Sequence, residues 1–563
     1  MATFEQVEQE LEEAKKELEE AKAALPKFET NENEGKWLVE LREKLQKQEK
    51  LTEEEKKQLT RLKEKEKRLE KIKDYYMKQV ENLQQTLATI TTQPDTSIPD
   101  LIDITLKQKY YASTYRNIDE IVKKLKKITS SSYCRSKQND SELSNIILNY
   151  RTESPDIPLS LYHSVFATFK DNLSSLKAEA DDFESLGKLV LDMQKFYNIE
   201  NDRLAKFTLW ASKYFNCPVD TSLGEYSEAD LHIPFNVNNV KHLLLLGKIK
   251  NELGEGGECP YRQACVSYAK FISQKKPPDC YGLHPTFLTY LAGPYLGIAG
   301  AVFGEKCVME PLTPLIPLMQ LKFDDELLFT AANTFRLLKE SLESLKDYYN
   351  KLCLPTEINV DLPRQEAYPY SNSFKNENGH EFQFVYKKRM VDNKLLFTVQ
   401  ELTNQQLLVV KFVRRYGVDV HRDCAKANIA PKLIAVEKLA GSWFMVVMEY
   451  LSNDHFTCMY DILQEGSQHV LFLTQKAIEV ANKLHKMNYV HGDFRTSNLM
   501  ISKDRQQVMI VDFDWAGEEG SAKYPHFINR FDLLDWHPDV KEGGKIKKAH
   551  DIHFITQSIE KNF

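Results

Sequence analysis

The chain has little cysteine: nine residues in 563, with no pair spaced as Cys-x-x-Cys. An odd number of scattered cysteines argues against a disulfide framework and fits a reducing compartment. It also has no excess of positive charge, because the formal net charge is −7. Composition therefore gives no general attraction to nucleic acid or to anionic membranes.

Long hydrophobic runs are missing as well. The most apolar stretch, YLAGPYLGIAGAVFG at Tyr290–Gly304, is too short and too rich in glycine to cross a bilayer, and it predicts buried strands instead. The N-terminus, MATFEQVEQE, is acidic and polar, unlike a signal or transit peptide. We therefore expect an intracellular protein, cytoplasmic or nuclear, with no membrane segment, and the length predicts two or three domains.

Residues 1–92 carry the pattern of a coiled coil. Apolar residues recur at alternating steps of three and four, the 3.5-residue period of a coiled-coil seam, flanked by Glu and Lys. This predicts self-association or partner binding; the alternative is a helical hairpin folded on itself. The seam residues are Phe4, Val7, Leu11, Ala14, Leu18, Ala21 and Leu25.

A linker, TTQPDTSIPD at residues 91–100, separates the coiled coil from a predicted middle domain at residues 101–352. This domain is expected to be helical at first and α/β from about residue 186. A long helix over residues 325–352 is predicted to close it, because Leu and aromatic residues recur on one face. Residues 354–380, rich in Pro, Asn and Ser, predict a second linker, which leads to a domain at 381–563.

Two polar motifs stand close together in this last domain: YVHGDFRTSNLMI and, after a short gap, MIVDFDWAG. In the first, Asp493 precedes Asn498 in the spacing H-x-D-x-x-x-x-N; in the second, Asp512 ends an apolar run, residues 508–511. The pair resembles the catalytic loop and metal-binding aspartate of protein kinases. The resemblance implies that Asp493 orients an attacking hydroxyl, while Asn498 and Asp512 hold Mg²⁺ against the phosphates of ATP.

The upstream residues extend this resemblance. Lys411 lies in an apolar run, LLVVKFV, similar to the kinase strand whose lysine holds the α- and β-phosphates. The run FMVVMEY resembles the hinge, with Met448 as gatekeeper and the backbone of Glu449 and Leu451 facing the adenine. Arg495, two residues after Asp493, is expected to steady the γ-phosphate.

The domain also departs from the kinase pattern. No glycine-rich loop precedes Lys411, and the corresponding hairpin has Asp392-Asn393 at its tip. The helix glutamate that pairs with this lysine is missing as well, and Asp419 or Asp423 is expected to replace it.

At the C-terminal end, Asp514 replaces the glycine of D-F-G, as in small-molecule kinases of the aminoglycoside and choline type, and is a candidate second metal ligand. There is no A-P-E motif, and Asp551 is expected to anchor the catalytic loop. These features predict a minimal protein-kinase-like fold.

The middle domain resembles the restriction-endonuclease fold, whose D…(D/E)-x-K motif binds Mg²⁺. Asp230 matches the first acid, Lys250 the lysine and Gln263 a following helix glutamine. Lys248 stands where the second acid belongs, and Glu252 is the candidate substitute. The alternatives are a degenerate nuclease that binds nucleic acid and a structural α/β domain with incidental charges.

The combination is similar to Crinkler-type proteins of oomycetes and fungi, in which such domains share one chain. HGDFRTSN, VDFDWAG, KYP and HD carry most of that resemblance, over residues 190–563. The expected fold is thus multidomain α+β. The expected function is ATP- and Mg²⁺-dependent phosphotransfer to a protein hydroxyl, with a small-molecule acceptor left open. The alternative is a pseudokinase scaffold or nucleic-acid-binding protein.

Overall fold

The computed structural model describes twelve segments of the chain, all within the compact unit Arg116–Phe563. They are residues 121–127, 147–148, 157–221, 229–255, 258–275, 282–323, 325–352, 365–376, 378–391, 393–464, 470–528 and 536–560. The predicted coiled coil (1–92) and the linker after it lie outside the described residues. None of the helices in these segments combines the length and apolarity needed to cross a membrane.

The first part of the described chain folds around a seven-stranded sheet in the order β1-β6-β5-β4-β3-β2, with β7 paired to β5. Its elements are β1 (Ile147–Leu148), α1 (Leu159–Tyr162), α2 (Ser164–Asn172), α3 (Ala180–Met193), α4 (Glu200–Tyr214), β2 (Leu231–Val237), β3 (Val240–Lys250), α5 (Pro260–Gln274), β4 (Thr286–Ala292), β5 (Tyr295–Phe303), β6 (Cys307–Pro311), β7 (Ile316–Pro317) and α6 (Glu326–Lys351).

The sheet is mixed. β2 and β3 form an antiparallel hairpin, whereas β3 and β4 run parallel and need a crossover, which α5 supplies. The apolar stretch 290–304 forms β5 and the end of β4, which confirms the prediction of buried strands. Gly297 is required there, because a Cβ on it would lie 2.2 Å from the ring of Tyr290.

The predicted long helix is confirmed as α6, which packs one apolar face on the sheet. Phe335, Leu338, Leu342 and Leu345 on this face are all buried. Tyr349 is fully buried as well, and its hydroxyl donates to the Pro285 carbonyl at 2.7 Å, which satisfies its polar atom inside the core.

The second part begins with a six-stranded antiparallel sheet in the order β12-β13-β11-β10-β9-β8, followed by a mostly helical region with a three-stranded sheet, β14-β16-β17. Its elements are β8 (Ser373–Lys375), β9 (Glu381–Arg389), β10 (Leu396–Glu401), β11 (Leu407–Val413), α7 (Val418–Lys426), β12 (Leu433–Leu439), β13 (Trp443–Glu449), β14 (Phe456–Cys458), α8 (Met459–Gln464), α9 (Val470–Lys486), β15 (Tyr489–Val490), β16 (Leu499–Ser502), β17 (Val508–Ile510), β18 (Gly517–Glu518) and α10 (Lys548–Glu560).

The segment predicted as a linker to residue 380 is partly structured. Ser373–Lys375 forms β8 and pairs with β9 at the edge of the six-stranded sheet. Phe374 drives this pairing, because its ring is buried and stacks on Phe382 with centroids 5.5 Å apart.

The two parts share one hydrophobic core, in which α1 and α2 pack against the turn between β12 and β13. The indole of Trp443 donates to the Ser160 hydroxyl at 2.9 Å, and the Gly441 N–H donates to the Asp171 carboxylate at 2.6 Å. The guanidinium of Arg414 lies over the ring of Trp443, 3.8 Å from its centroid. These contacts fix the six-stranded sheet on the first part of the molecule.

Candidate active site

The catalytic-loop motif follows β15, and the backbone of this loop is held by one buried carboxylate. The N–H groups of His491 and Gly492 donate to the two oxygens of Asp551, at 2.9 and 2.8 Å. Gly492 has φ +81°, and a Cβ there would lie 2.7 Å from Ile546, so glycine is required at this position. The expected anchoring role of Asp551 is confirmed.

Asp493 lies in the middle of a hydrogen-bonded group. The amide nitrogen of Asn498 donates to its backbone and side-chain oxygens, both at 2.9 Å. The guanidinium of Arg495 pairs with the same carboxylate, with Nε 2.8 Å from Oδ1. Because the nitrogen of Asn498 is used on Asp493, its Oδ1 is the atom that it can offer to a metal.

Asp512 directs its carboxylate toward two lysines, one on β11 and one in the turn between β9 and β10. Its backbone adopts φ +73°, a left-handed conformation that costs a non-glycine residue about 1–3 kcal/mol and often marks a functional site. Lys411 Nζ lies 2.6 Å from one carboxylate oxygen and Lys394 Nζ lies 2.5 Å from the other. Lys411 also contacts the carboxylate of Asp514, so two acids share one lysine.

The charges of this group are strongly coupled. Burial alone would raise the pKa of Asp512, but the ammonium groups of Lys411 and Lys394 outweigh it and hold the pKa well below its ordinary value. Burial and the nearby charge of Asp512 raise the pKa of Asp514 instead. Burial would lower the pKa of Lys411, yet the two carboxylates outweigh it and raise it. The two lysines therefore keep Asp512 ionised, whereas ionising Asp514 beside it is costly.

Phe513, between the two acids, is fully buried and fixes their position. Its ring stacks on His421 of α7, with centroids 4.6 Å apart, and meets the edge of His491 at 5.5 Å. The acids are thereby tied to both α7 and the catalytic loop.

The expected partner of Lys411 on α7 was wrong. Asp419 pairs with Arg422 at 2.9 Å, and Asp423 pairs with Lys426 and accepts from the Tyr489 hydroxyl. Their side chains lie on the outer side of α7, because Val420 and Cys424 occupy the inner one. Asp512 and Asp514 take the place of the helix acid.

Lys394 is a site residue that sequence analysis missed. It lies beside the tip of the β9–β10 hairpin, where the kinase pattern has glycines. The only sequence signal was a lysine directly after the Asp392-Asn393 tip.

A cavity of about 270 Å³ opens between the two sheets beside these charges. Its lining combines apolar side chains with polar ones, among them Asp512 and both of its lysines. Glu449 and Leu451, the predicted hinge residues, both line this cavity, and the Glu449 N–H donates to the Lys432 carbonyl at 3.0 Å. Nine lining residues bear on this argument: Leu396, Val409, Met448, Met500, Leu451, Lys394, Lys411, Asn498 and Asp512.

The candidate nuclease residues are arranged differently. Asp230 lies 2.5 Å from Lys248 and accepts the Ile249 N–H at 2.6 Å. Lys250 pairs with Glu200 of α4, at 3.1 Å, a residue that sequence analysis did not identify. Within the described segments, ion pairs link Asp230 to Lys250 by way of Lys248 and Glu200, with Lys248 Nζ 4.0 Å from Glu200.

Glu252, the candidate second acid, pairs with the buried guanidinium of Arg203 at 3.1 Å. Gln263 lies on α5 and, within the described segments, forms no hydrogen bond with Asp230, Lys250 or Glu252. The structure therefore does not gather the four predicted residues into one group.

Neither a protein-family model nor a curated protein sequence matches this chain. Among solved structures, the chain is similar to the kinase PK-1 of Cydia pomonella granulovirus, at 16% identity and a TM-score of 0.27, over 32% of this chain and 67% of that one. It is similar to vaccinia related kinase 3 at 16% identity and a TM-score of 0.26, over 34% and 68%. These structural neighbours are protein kinases, and they give no support to the Crinkler-type or restriction-endonuclease-like resemblance.

Proposed function

We propose that the second part of the described chain is an ATP- and Mg²⁺-dependent phosphotransferase that acts on a hydroxyl group. The observation that carries this proposal is that Lys411, Asp512 and Asn498 line one cavity together with hinge residues, while Asn498 is hydrogen-bonded to Asp493. The residues come from β11, the catalytic loop and the segment after β17, so their meeting depends on the tertiary fold.

The acids fit a divalent cation. Asp512 and Asp514 share one lysine, and the pKa of Asp514 is raised by burial and by the charge of Asp512, so an additional cation would relieve their repulsion. Asp512, Asp514 and Asn498 Oδ1 would hold Mg²⁺, which takes oxygen ligands. The ion would neutralise charge on the phosphates of the nucleotide.

The two lysines give the phosphates a binding surface. Lys411 is buried, and Lys394 is 41% exposed at its side chain and lies on the opposite side of Asp512. Nucleotide and Mg²⁺ together would exchange the lysine–carboxylate pairs for lysine–phosphate and metal–carboxylate pairs. Lys394 would then supply from a side chain the phosphate contacts that glycine-loop N–H groups supply in kinases.

Asp493 would orient the acceptor hydroxyl and take its proton. Its carboxylate is held by Asn498 and Arg495, which restrict its rotation. Without a nucleotide, the Arg495 guanidinium neutralises the charge of the Asp493 carboxylate. Steadying a γ-phosphate would require it to exchange that partner.

The test measures transfer of the γ-phosphate of radiolabelled ATP by the purified full chain. The chain is first added to a cell extract, and the labelled acceptor, protein or small molecule, is then identified. We expect Asp493→Asn to lower the rate about 100- to 10,000-fold while leaving ATP binding in place. Asp504→Asn, in the exposed turn before β17, is the matched control and should transfer normally.

The alternative is a nucleotide-binding pseudokinase scaffold, which the Lys394–Asp512 pair favours because it occupies the position of the metal carboxylate. Equal residual transfer by wild type and Asp493→Asn, with ATP binding preserved in both, would establish that alternative. Absence of ATP binding would contradict both.

A further inference from the structure

A group of potential metal ligands lies near the end of the described chain, apart from the site around Asp493. His537 and Asp539 belong to the turn at residues 537–540, and His550 lies in the first turn of α10. One ligand atom from each of the three lies within 4.8 Å of the others. The imidazole rings of His537 and His550 have centroids 5.0 Å apart.

His550 carries a second, independent observation. Its side chain is fully buried, and its Nε2 is a buried atom without a hydrogen-bond partner among the described residues. The other nitrogen, Nδ1, is engaged, with the Tyr524 hydroxyl at 3.1 Å and the Lys547 N–H at 3.3 Å. Buried polar atoms are normally partnered, so this imidazole nitrogen, in a ring next to that of His537, is a candidate metal ligand.

The donor set suits zinc. Two imidazole nitrogens and one carboxylate oxygen are ligands that Zn²⁺ accepts, and three protein ligands leave a fourth position for water. Tetrahedral ligands about 2.0–2.2 Å from zinc lie roughly 3.5 Å apart, so small side-chain rotations would close the group. Zinc on Nε2 requires the ring proton on Nδ1. That proton would then be donated to the Tyr524 hydroxyl and orient the ring, as outer partners of metal-bound histidines do, while the longer contact with the Lys547 N–H would be given up.

Among the described residues, Lys547 is the cation paired with the group. Its Nζ lies 2.7 Å from the Asp539 carboxylate, and both side chains are about half exposed. An exposed ion pair of this kind is weak, so a dication held by two imidazoles can displace the Lys547 ammonium from the Asp539 carboxylate.

We propose that His537, Asp539 and His550 form a zinc site that fastens the turn at 537–540 to α10. Asp551, the residue after His550, holds the backbone of the catalytic loop. Zinc bound at His550 would therefore stabilise the helix that anchors this loop, whether or not the loop transfers phosphate.

The experiment uses the full chain, stripped with a chelator, dialysed, and titrated with Zn²⁺ against a chromophoric chelator. We expect one tight equivalent in the wild type. Asp539→Asn and His537→Asn should weaken it by more than the about 10- to 100-fold that outer partners cost. Both side chains are at least partly exposed, so these variants test the site without emptying the core, as His550→Asn would.

His380→Asn, an exposed histidine between β8 and β9, is the matched control and should bind zinc like the wild type. Co²⁺ replaces zinc as a spectroscopic probe: tetrahedral nitrogen and oxygen ligation gives visible d–d bands without the sulfur charge-transfer band of a cysteine site. Zinc affinity equal in the wild type, Asp539→Asn and His537→Asn would overturn the proposal. A sulfur charge-transfer band on the tight equivalent, or no tight equivalent at all, would overturn it as well.

Discussion

Two groups of acids and lysines lie in different parts of the molecule, and their charges are matched differently. Around Asp230, the two acids have two lysines close by: Lys248 lies 2.5 Å from Asp230 and 4.0 Å from Glu200, and Lys250 lies 3.1 Å from Glu200. Around Asp512, two acids share Lys411, and the second lysine comes from an exposed hairpin tip.

This difference in charge pairing determines which of the two groups can bind a metal ion. A dication near Asp230 would meet Lys248 and Lys250, which already neutralise the acids there. Burial raises the pKa of Asp230, although Lys248 opposes this, and the carboxylate also accepts a backbone N–H. Such an arrangement stabilises a fold, whereas the shared lysine at Asp512 can turn to phosphate when a cation takes its place. We therefore favour a structural role for the first group and a catalytic role for the second.

The largest contrast should come from removing one lysine in each group. Lys411→Met removes the 6% exposed ammonium that Asp512 and Asp514 share and leaves Lys394 on Asp512, and breaking a buried pair costs about 3–5 kcal/mol of unfolding free energy. Lys250→Met leaves Glu200, which is 34% exposed, and should cost no more than about 1 kcal/mol. Urea unfolding of the full chain measures both, and equal losses would erase the contrast.

A smaller effect is expected for Asp230→Asn. Of the two described acids that pair with the ammonium of Lys248, which is 9% exposed, it leaves Glu200 at 4.0 Å, and it should cost about 1–3 kcal/mol. Phosphate transfer should stay unchanged, and the wild type should not nick plasmid DNA with Mg²⁺ or Mn²⁺. Nicking that disappears in Asp230→Asn would make this group a nuclease site.

The smallest effect concerns the contact between the two parts of the molecule. Trp443→Phe removes the hydrogen bond to Ser160 while keeping most of the packing, and should cost about 0.5–1.5 kcal/mol. A double-mutant cycle with Ser160→Ala isolates this bond. Additive losses would mean that the bond contributes nothing to joining the two parts.

Sequence analysis located the residues whose relations are local. The spacing from Asp493 to Asn498 lies within one loop, and their hydrogen bond follows from it. Lys394 was missed because it meets Asp512 across 118 residues, and no spacing rule connects a hairpin tip to a later acid.

The acids of α7 were misjudged for a related reason. Their acidic side chains suggested a partner for Lys411. Contact with Lys411 depends, however, on which side of α7 a residue occupies, and Asp419 is on the outer side, 83% exposed. Glu200 was overlooked in the same way, since its partner Lys250 lies on a strand fifty residues later. The predicted coiled coil stays a prediction.

The most direct test of the account is the thermal stability of the full chain with and without ATP and Mg²⁺. A ligand at 100 times its dissociation constant stabilises a protein by about 2.7 kcal/mol. The wild type and Asp230→Asn should therefore melt at a higher temperature with the nucleotide and metal, and Asp512→Asn should not. An equal shift in Asp512→Asn would contradict the assignment of that carboxylate to the metal, and with it the distinction between the two groups.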